Sequence, residues 1–431
     1  MKNNILSLLT FFCALYCKNA HDIKVTNEGL NSEITITTNP KNYNEIVIAS
    51  MRNGSPIIIN TSNDGGKSWK QSAFAKGIAD PVLTYGDNNT AYLTYLDFDK
   101  NMVMSLATST DGGKNWQAKA LQLDGKAADR QWIKRDNSKN SPYYGSLYLS
   151  YFHPEDGLDI HIIKVDKEGN VGENHKVHST TYPYVQNPTL DVSIKGDIVI
   201  CFVAGDKNGR RKIMAVHSTD GSKTFSKESL VSEIYMFKEG KHVSDVIGFG
   251  PGDANRLGNS LQMAIDKSKG PYSGRVYLTW TDFVKNKPEE GMNVLLSHSD
   301  NHGITWSTPM IVNDDNIASS HQYYSAIDVN PSGVVCLSWY DRRSDPANDV
   351  LTDFYFSHST DGGATFQKSI KVNSETSDHT AVTNGLMTFG VGEYNALASN
   401  ENEAYVVWAD GRENNGDMNI YFAKVKLKKH Q

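Results

Sequence analysis

Ser109 to Trp116 reads STDGGKNW, and the same order returns at Ser62 to Trp69 (SNDGGKSW), Ser218 to Phe225 (STDGSKTF), Ser299 to Trp306 (SDNHGITW) and Ser359 to Phe366 (STDGGATF). Each copy follows a strand-like run and closes on an aromatic residue. The pattern predicts a hairpin turn that locks itself: the Asp accepts backbone N–H groups across the turn, Gly supplies a positive φ, and the aromatic ring packs beneath. An internal repeat of this kind sets the architecture before any domain boundary is drawn.

Working outward, two short strands joined by a turn recur seven times, ending at Ser50, Tyr95, Tyr151, Phe202, Trp280, Trp339 and Trp408. The spacings, 45 to 78 residues, suit four-stranded blades, and no stretch between them shows the 3.6-residue period of a long helix. The third unit has only a degenerate turn (Val165 to Gly172) and the seventh has none. The reading is therefore all-β: one β-propeller of four-stranded antiparallel blades over residues 22–431. Seven blades are favoured, with six plus an irregular segment as the alternative. The seventh unit supplies three strands, the last within Met418 to Leu427, while Asp22 to Thr26 is a spare strand; pairing the two closes the ring and removes an open edge. Lys424, Lys426 and Lys428 alternate there and read as a solvated face.

Composition excludes several partners. Lys plus Arg number 43 against 49 Asp plus Glu, a net charge of −6, so no basic surplus draws the chain onto nucleic acid. No apolar run reaches the length of a membrane span. Residues 1–20 have the layout of an export signal: Lys2, an apolar stretch from Ile5 to Tyr16, then polar Lys18 and Asn19 before Ala20. The predicted location is secreted, periplasmic or outer-surface, with a lipid anchor at Cys17 as the minority reading. Cys201 and Cys336 lie in apolar strands and read as core residues, so a disulfide scaffold is excluded. A monomer is expected.

The five turns resemble the Asp boxes, or BNR repeats, of sialidase-like β-propellers, and the phrases SPYYGSLYLSY, WYDRRSDP and WADGR resemble a bacterial branch of that superfamily. The resemblance covers residues 30 to 427. It implies that the boxes join third to fourth strands and are structural, as are His217, His298 and His358 beside them. It places the chemistry on the opposite face, where second-to-third-strand loops and the links between blades converge on the axis. That face carries the substrate-binding candidates Arg342, Arg343, Arg412, Arg130, Arg256, His153, Tyr323 and Tyr324, and the catalytic candidates Tyr394, Glu393, Asp97 and Asp282. The long link from Ser226 to Asn259 is a candidate lid or pocket wall.

Arginines around one pocket suit an acidic ligand, since guanidinium binds carboxylate in a bidentate fork. Sialidases use a Tyr nucleophile, which Tyr394 resembles, but adjacent Glu393 points to the other face of a strand, so its activating carboxylate must come from elsewhere. The Arg-Ile-Pro motif of sialidases is absent, and Arg342, Arg343 and Arg412 equally suit loop-internal salt bridges. The leading expectation is a glycoside hydrolase releasing terminal sialic acid or a related acidic sugar. A non-catalytic propeller that binds glycan or protein is its rival, and a polysaccharide lyase using His153, Tyr323 and Tyr324 is third. No cofactor or catalytic metal is expected; a structural calcium ion held by an acidic loop such as DRRSDPAND is left open, its spacing matching no EF-hand.

Overall fold

The structure is a computed structural model that describes residues 22–27, 29, 31–52, 55–74, 79–97, 103–121, 123, 127–153, 158–237, 260–285, 287–317, 320–379, 392, 394–413 and 416–427. The signal stretch with Cys17, most of the link that ends at Asn259 including Arg256, and Glu393 lie outside the described residues.

Seven antiparallel sheets follow one another along the chain. Blade 1 begins with the inner strand Asn31–Asn39, blade 2 with Ala79–Tyr85, blade 3 with Asp129–Arg135, blade 4 with Tyr184–Val192, blade 5 with Gln262–Ile265, blade 6 with Gln322–Val329 and blade 7 with Ala396–Ser399. In each of the first six, three further strands follow outward by hairpin connections, and Ser377–Asp378 adds a short extra pairing to the third strand of blade 6. Six blades with an irregular segment is set aside.

Blade 7 takes three strands from the C-terminal part of the chain and its outermost strand from Ile23–Lys24. The register pairs Ile23 with Phe422 and Lys24 with Tyr421, and Val25 N–H donates to the Ile420 carbonyl at 2.7 Å. Arg412 fastens this closure, reaching Asp22 at 2.7 Å and Asp410 at 2.6 Å while its guanidinium lies 3.9 Å above the Tyr421 ring. Among the described residues no helix is long and apolar enough to cross a membrane.

Alternation along the strands sends side chains to both faces of every blade, and both faces are covered by neighbours. The core therefore lies between blades. Val47, Ile57 and Ile59 of blade 1 pack with Leu83, Leu93 and Ala107 of blade 2, and Ile160 and Ile162 of blade 3 with Leu190, Ile200 and Phe202 of blade 4. Burying each such large aliphatic or aromatic side chain contributes roughly 1.5–3 kcal/mol. Cys201 and Cys336 are both fully buried in these layers.

The repeated turns join third and fourth strands. Asp111 Oδ1 accepts Ser109 Oγ–H at 2.8 Å and the N–H groups of Lys114 and Asn115 at 3.1 and 3.0 Å, while Trp116 Nε1–H closes on the Gly113 carbonyl at 2.9 Å. Gly113 has φ +87°, and a Cβ there would stand 2.9 Å from Val47 of the preceding blade. Gly66 is as tightly placed, its Cβ position lying 2.3 Å from Phe422 of blade 7. The turns thus clip adjacent blades together as well as joining strands.

Candidate active site

The inner strands share an irregularity. Register shifts between Ser32 and Ile34, Ala79 and Val82, Asp129 and Trp132, Gln186 and Thr189, and Tyr323 and Ala326 mark a β-bulge near the start of each of five inner strands. Within these bulges Glu33, Asp80, Arg130, Asn187 and Tyr324 all have positive φ, between 48° and 54°. For non-glycine residues this conformation costs roughly 1–2 kcal/mol each, and bulges of this kind re-aim side chains. Aligning the remaining registers puts Ser260 of blade 5 and Tyr394 of blade 7 at the same level. Each blade thus has one residue at this level, near the start of its inner strand, on the face where the links between blades arrive.

Hydrogen bonds pass between blades at this level. Asp80 Oδ2 accepts the Arg130 N–H at 3.1 Å, Arg130 Nε–H donates to Asn187 Oδ1 at 2.6 Å, and Gln131 donates to the Asp80 carbonyl. Asn395 Nδ2 donates to the Tyr324 carbonyl at 3.1 Å, and Gln262 Nε2 to that of Asn395 at 2.6 Å. The Tyr394 hydroxyl reaches the Pro81 carbonyl at 3.4 Å, so blades 7 and 2 also meet here.

A small pocket, with free room for about one water molecule, sits among these groups, lined by Asp80, Arg130, Gln131, Trp132, Asn187 and Tyr394, with Pro188, Ser260 and Leu261 completing the wall. The Arg130 guanidinium lies 5.5 Å from the Tyr394 ring centre, and Trp132 meets that ring edge-on at 6.1 Å. Gln131 Oε1 and Ser260 Oγ are buried without a hydrogen-bond partner among the described residues. A buried polar atom lacking a partner carries a desolvation cost that a polar ligand relieves. The pocket therefore sets one guanidinium, one carboxylate, two amides and two hydroxyls beside aromatic surface.

Of the residues singled out in the sequence, Tyr394 and Arg130 line this pocket. Arg343 and Arg412 are held elsewhere in matching arrangements. Arg343 pairs with Asp341 at 2.7 Å and Asp314 at 2.7 Å over the Tyr355 ring, just as Arg412 pairs with Asp410 and Asp22 over Tyr421. In both blades the carboxylate also accepts a tryptophan N–H, from Trp339 or Trp408. The Trp-x-Asp-x-Arg spacing is thus a loop lock. Arg342 is fully buried, donating to the Asp349 carbonyl at 2.5 Å and lying 5.4 Å from the Tyr323 ring centre. These three arginines do not share one empty volume.

The remaining candidates are packed into the blades. Asp282 is fully buried and accepts N–H groups from Tyr235, Met236 and Phe283 at 2.7–2.8 Å; burial, outweighing those donors, pushes its carboxyl up to about 7. Asp97 is buried at the end of the second strand of blade 2. His153 is buried against the rings of Tyr151 and His161, 6.1 and 5.6 Å away. The Tyr323 hydroxyl meets Thr352 Oγ1 at 3.2 Å and His379 Nδ1 at 3.1 Å, and burial holds His379 down at about 4. Tyr324 is at the level of the bulges but does not line the pocket. In the DRRSDPAND loop Asp341 and Asp349 face Arg343, Arg342 and His321, while Asp345 accepts the N–H groups of Val350 and Leu351.

Asp80, Gln131, Trp132, Asn187 and Ser260 were not among the sequence candidates. Their signal is positional: Asp80-Pro81 and Asn187-Pro188 put a turn-forming pair near the start of an inner strand, and Arg130-Gln131 occupies the corresponding place in blade 3.

No family model matches the chain, and no curated protein matches it. Solved structures do resemble it. An ulvan lyase of polysaccharide lyase family PL25, bound to -[GlcA(1-4)Rha3S]-, superposes with a TM-score of 0.52 at 10% identity, covering 95% of this chain and 97% of that one. The GH93 α-L-arabinofuranosidase of Fusarium graminearum gives 0.50 at 10% identity over 95% and 98%, and a mutant of AofleA from Arthrobotrys oligospora gives 0.50 at 11% over 83% and 92%. At these identities the likeness establishes the fold class, a β-propeller; function has to be argued from the site.

Proposed function

We propose that this chain is an exported, carbohydrate-active propeller that holds the terminal acidic sugar of a glycan over the small axial pocket and hydrolyses its glycosidic bond. The observation that carries the reading is the convergence of Asp80, Arg130 and Tyr394, from three different blades, on one pocket beside Trp132. Arg130 is placed to face the sugar carboxylate, and the aromatic rings to cover the apolar face of the sugar. The chemistry assigned to the pair is that Asp80, as carboxylate, takes the Tyr394 hydroxyl proton as the phenol oxygen attacks the anomeric carbon, and passes that proton to the departing oxygen. Water then attacks the anomeric carbon, its proton passes through Asp80 to the tyrosine oxygen, and the sugar leaves with both residues restored. A tyrosine nucleophile avoids setting a second carboxylate against the anionic sugar. Arg342, Arg343 and Arg412 are not needed in this reading; one guanidinium and the amides of Gln131 and Asn187 serve the carboxylate instead.

The test is incubation of the protein without residues 1–20 with sialylated and uronate-capped glycans, followed by mass spectrometry of the products. Release of the free terminal sugar, lost in Tyr394→Phe and Arg130→Ala, is the expected result. An unsaturated, ultraviolet-absorbing product would make the protein a lyase, and tight binding without any product would make it a binding propeller; either overturns hydrolysis.

A further inference from the structure

Four blades fasten their third strand with the same device, a valine followed by a side-chain acceptor. The valine N–H donates to a carbonyl of the third strand, and the next side chain accepts the N–H of that same strand residue. In blade 5, Val312 N–H reaches the Val294 carbonyl at 2.9 Å while Asn313 Oδ1 accepts the Val294 N–H at 3.0 Å. Val372 and Asn373 hold Phe354 of blade 6 in this way at 2.8 and 2.7 Å, and Val25 and Thr26 hold Ile420 of blade 7 at 2.7 and 2.9 Å. Blade 3 sets Val177 N–H on the Ile160 carbonyl at 3.0 Å, and His178 Nε2 accepts the Ile160 N–H at 3.2 Å. Of these four acceptors only the imidazole titrates near neutral pH.

Its partners set the tautomer. The Ile160 N–H can only donate and the Thr180 carbonyl, 2.7 Å from Nδ1, can only accept, so the proton sits on Nδ1 and Nε2 offers its lone pair. A second proton turns Nε2 into a donor facing that N–H, which then lacks an acceptor inside the protein. The His178 side chain is fully buried, with the rings of Phe202 in blade 4 and of Tyr182 at 5.3 and 5.7 Å. Asp159 of the third strand, 3.6 Å from Nε2, and Glu228 of blade 4 favour the charged ring; Lys176 of the fourth strand, 2.8 Å from Asp159, and His161 oppose it. Burial is the largest influence and holds the ring below its ordinary 6.5. Beyond His178 the Glu228 carboxylate accepts the N–H groups of Ser179 and Thr180, both at 2.7 Å, and the chain then enters the inner strand Tyr184–Val192 that carries Asn187.

We propose that His178 is an acid-sensitive latch at the junction of blades 3 and 4. Neutral, it ties the Ile160 N–H to the Thr180 carbonyl; protonated, it releases Ile160 and turns to Asp159, loosening the link that delivers Asn187 to the axial pocket. The unfolded chain takes up this proton at the ordinary 6.5 and the native state only at lower pH. The latch therefore contributes in full above 6.5 and is lost as pH falls from there through the lower native value. It stands apart from the sugar chemistry proposed above, since nothing in it depends on what the axial pocket holds.

Amide hydrogen exchange read by NMR between about pH 8 and 5 tests the latch. The natural protein carries its own references, the Val294 and Phe354 N–H groups that asparagine caps. After correction for the intrinsic pH dependence of exchange, Ile160 protection is expected to fall below theirs by up to about tenfold per pH unit as the ring takes up its proton. His178→Asn installs the cap of blades 5 and 6 and is expected to remove that difference. Ile160 protection that tracks Val294 and Phe354 at every pH overturns the latch, and so does a relative loss that persists in folded His178→Asn. Where the variant does not fold, the comparison within the natural protein decides by itself.

Discussion

Asp282 and Asp80 are both buried carboxylates, and their surroundings separate their roles. Asp282 faces three backbone N–H groups and holds the segment after blade 4 in place, whereas Asp80 Oδ2 accepts the Arg130 N–H and lines the axial pocket. Burial raises the Asp282 carboxyl from the ordinary 3.8 to about 7, so between these values the native state holds a proton that the unfolded chain has released. Stability from this group is therefore greatest below pH 4 and declines as pH rises toward 7. Denaturant midpoints across this window are expected to fall more steeply with pH in the natural protein than in Asp282→Asn. Equal slopes would remove the assignment. Arg343→Ala tests the loop lock in the same way: it leaves Asp341 buried beside Trp339 without its cation and should lower stability by about 3 kcal/mol, while saccharide affinity stays within twofold. At this scale sequence reasoning named Tyr394 and Arg130, which line the pocket, together with Arg343 and Arg412, which are held in salt bridges. Salt-bridged and ligand-facing arginines look alike until their partners are known, and the locks draw on Asp22 and Asp314, distant in sequence from Arg412 and Arg343.

The repeated turn was the most legible element because its stabilising bonds are local. Asp111 donors lie within four residues, and although burial acts to raise its carboxyl, the bonds from Asn115, Ser109 and Lys114 hold it at about 2. Asp111→Ala should cost about 1 kcal/mol of stability, as loss of a capping carboxylate does, without altering sugar binding; a thermal melt and a titration check both parts. Blade 4 departs from the pattern in an instructive way. Ser222 occupies the second glycine position with φ +74°, a conformation unfavourable for any residue with a Cβ. Ser222→Gly is therefore expected to raise the melting temperature, corresponding to a gain of up to about 1 kcal/mol; a lower melting temperature would show that the serine makes a compensating contact. The bulges of the inner strands were not legible. A bulge depends on the partner strand's register, so Asp80-Pro81 marks a break in the strand without showing which residue will line a pocket shared with blades 3, 4 and 7.

For the whole molecule, seven units and the closing N-terminal strand were readable because the strand pairs recur at blade-sized intervals and the final unit lacks one strand. Removing residues up to Asn27 should expose the edge at Asn419–Lys426, lowering the melting temperature and promoting self-association, as light scattering would report. Which loops meet across the ring was not readable, since proximity around an axis is a property of seven blades at once. The central claim concerns that convergence: the sugar site is axial and depends on Arg130 and Tyr394, not on the loop-locked arginines. Its most direct measurement is titration of glucuronate and free sialic acid into the natural protein and into Arg130→Ala and Arg343→Ala, each verified as folded. The account predicts saturable binding of one acidic sugar, weakened at least tenfold by Arg130→Ala and little changed by Arg343→Ala. Binding that survives Arg130→Ala and is lost in folded Arg343→Ala would contradict it and move the site to the loops.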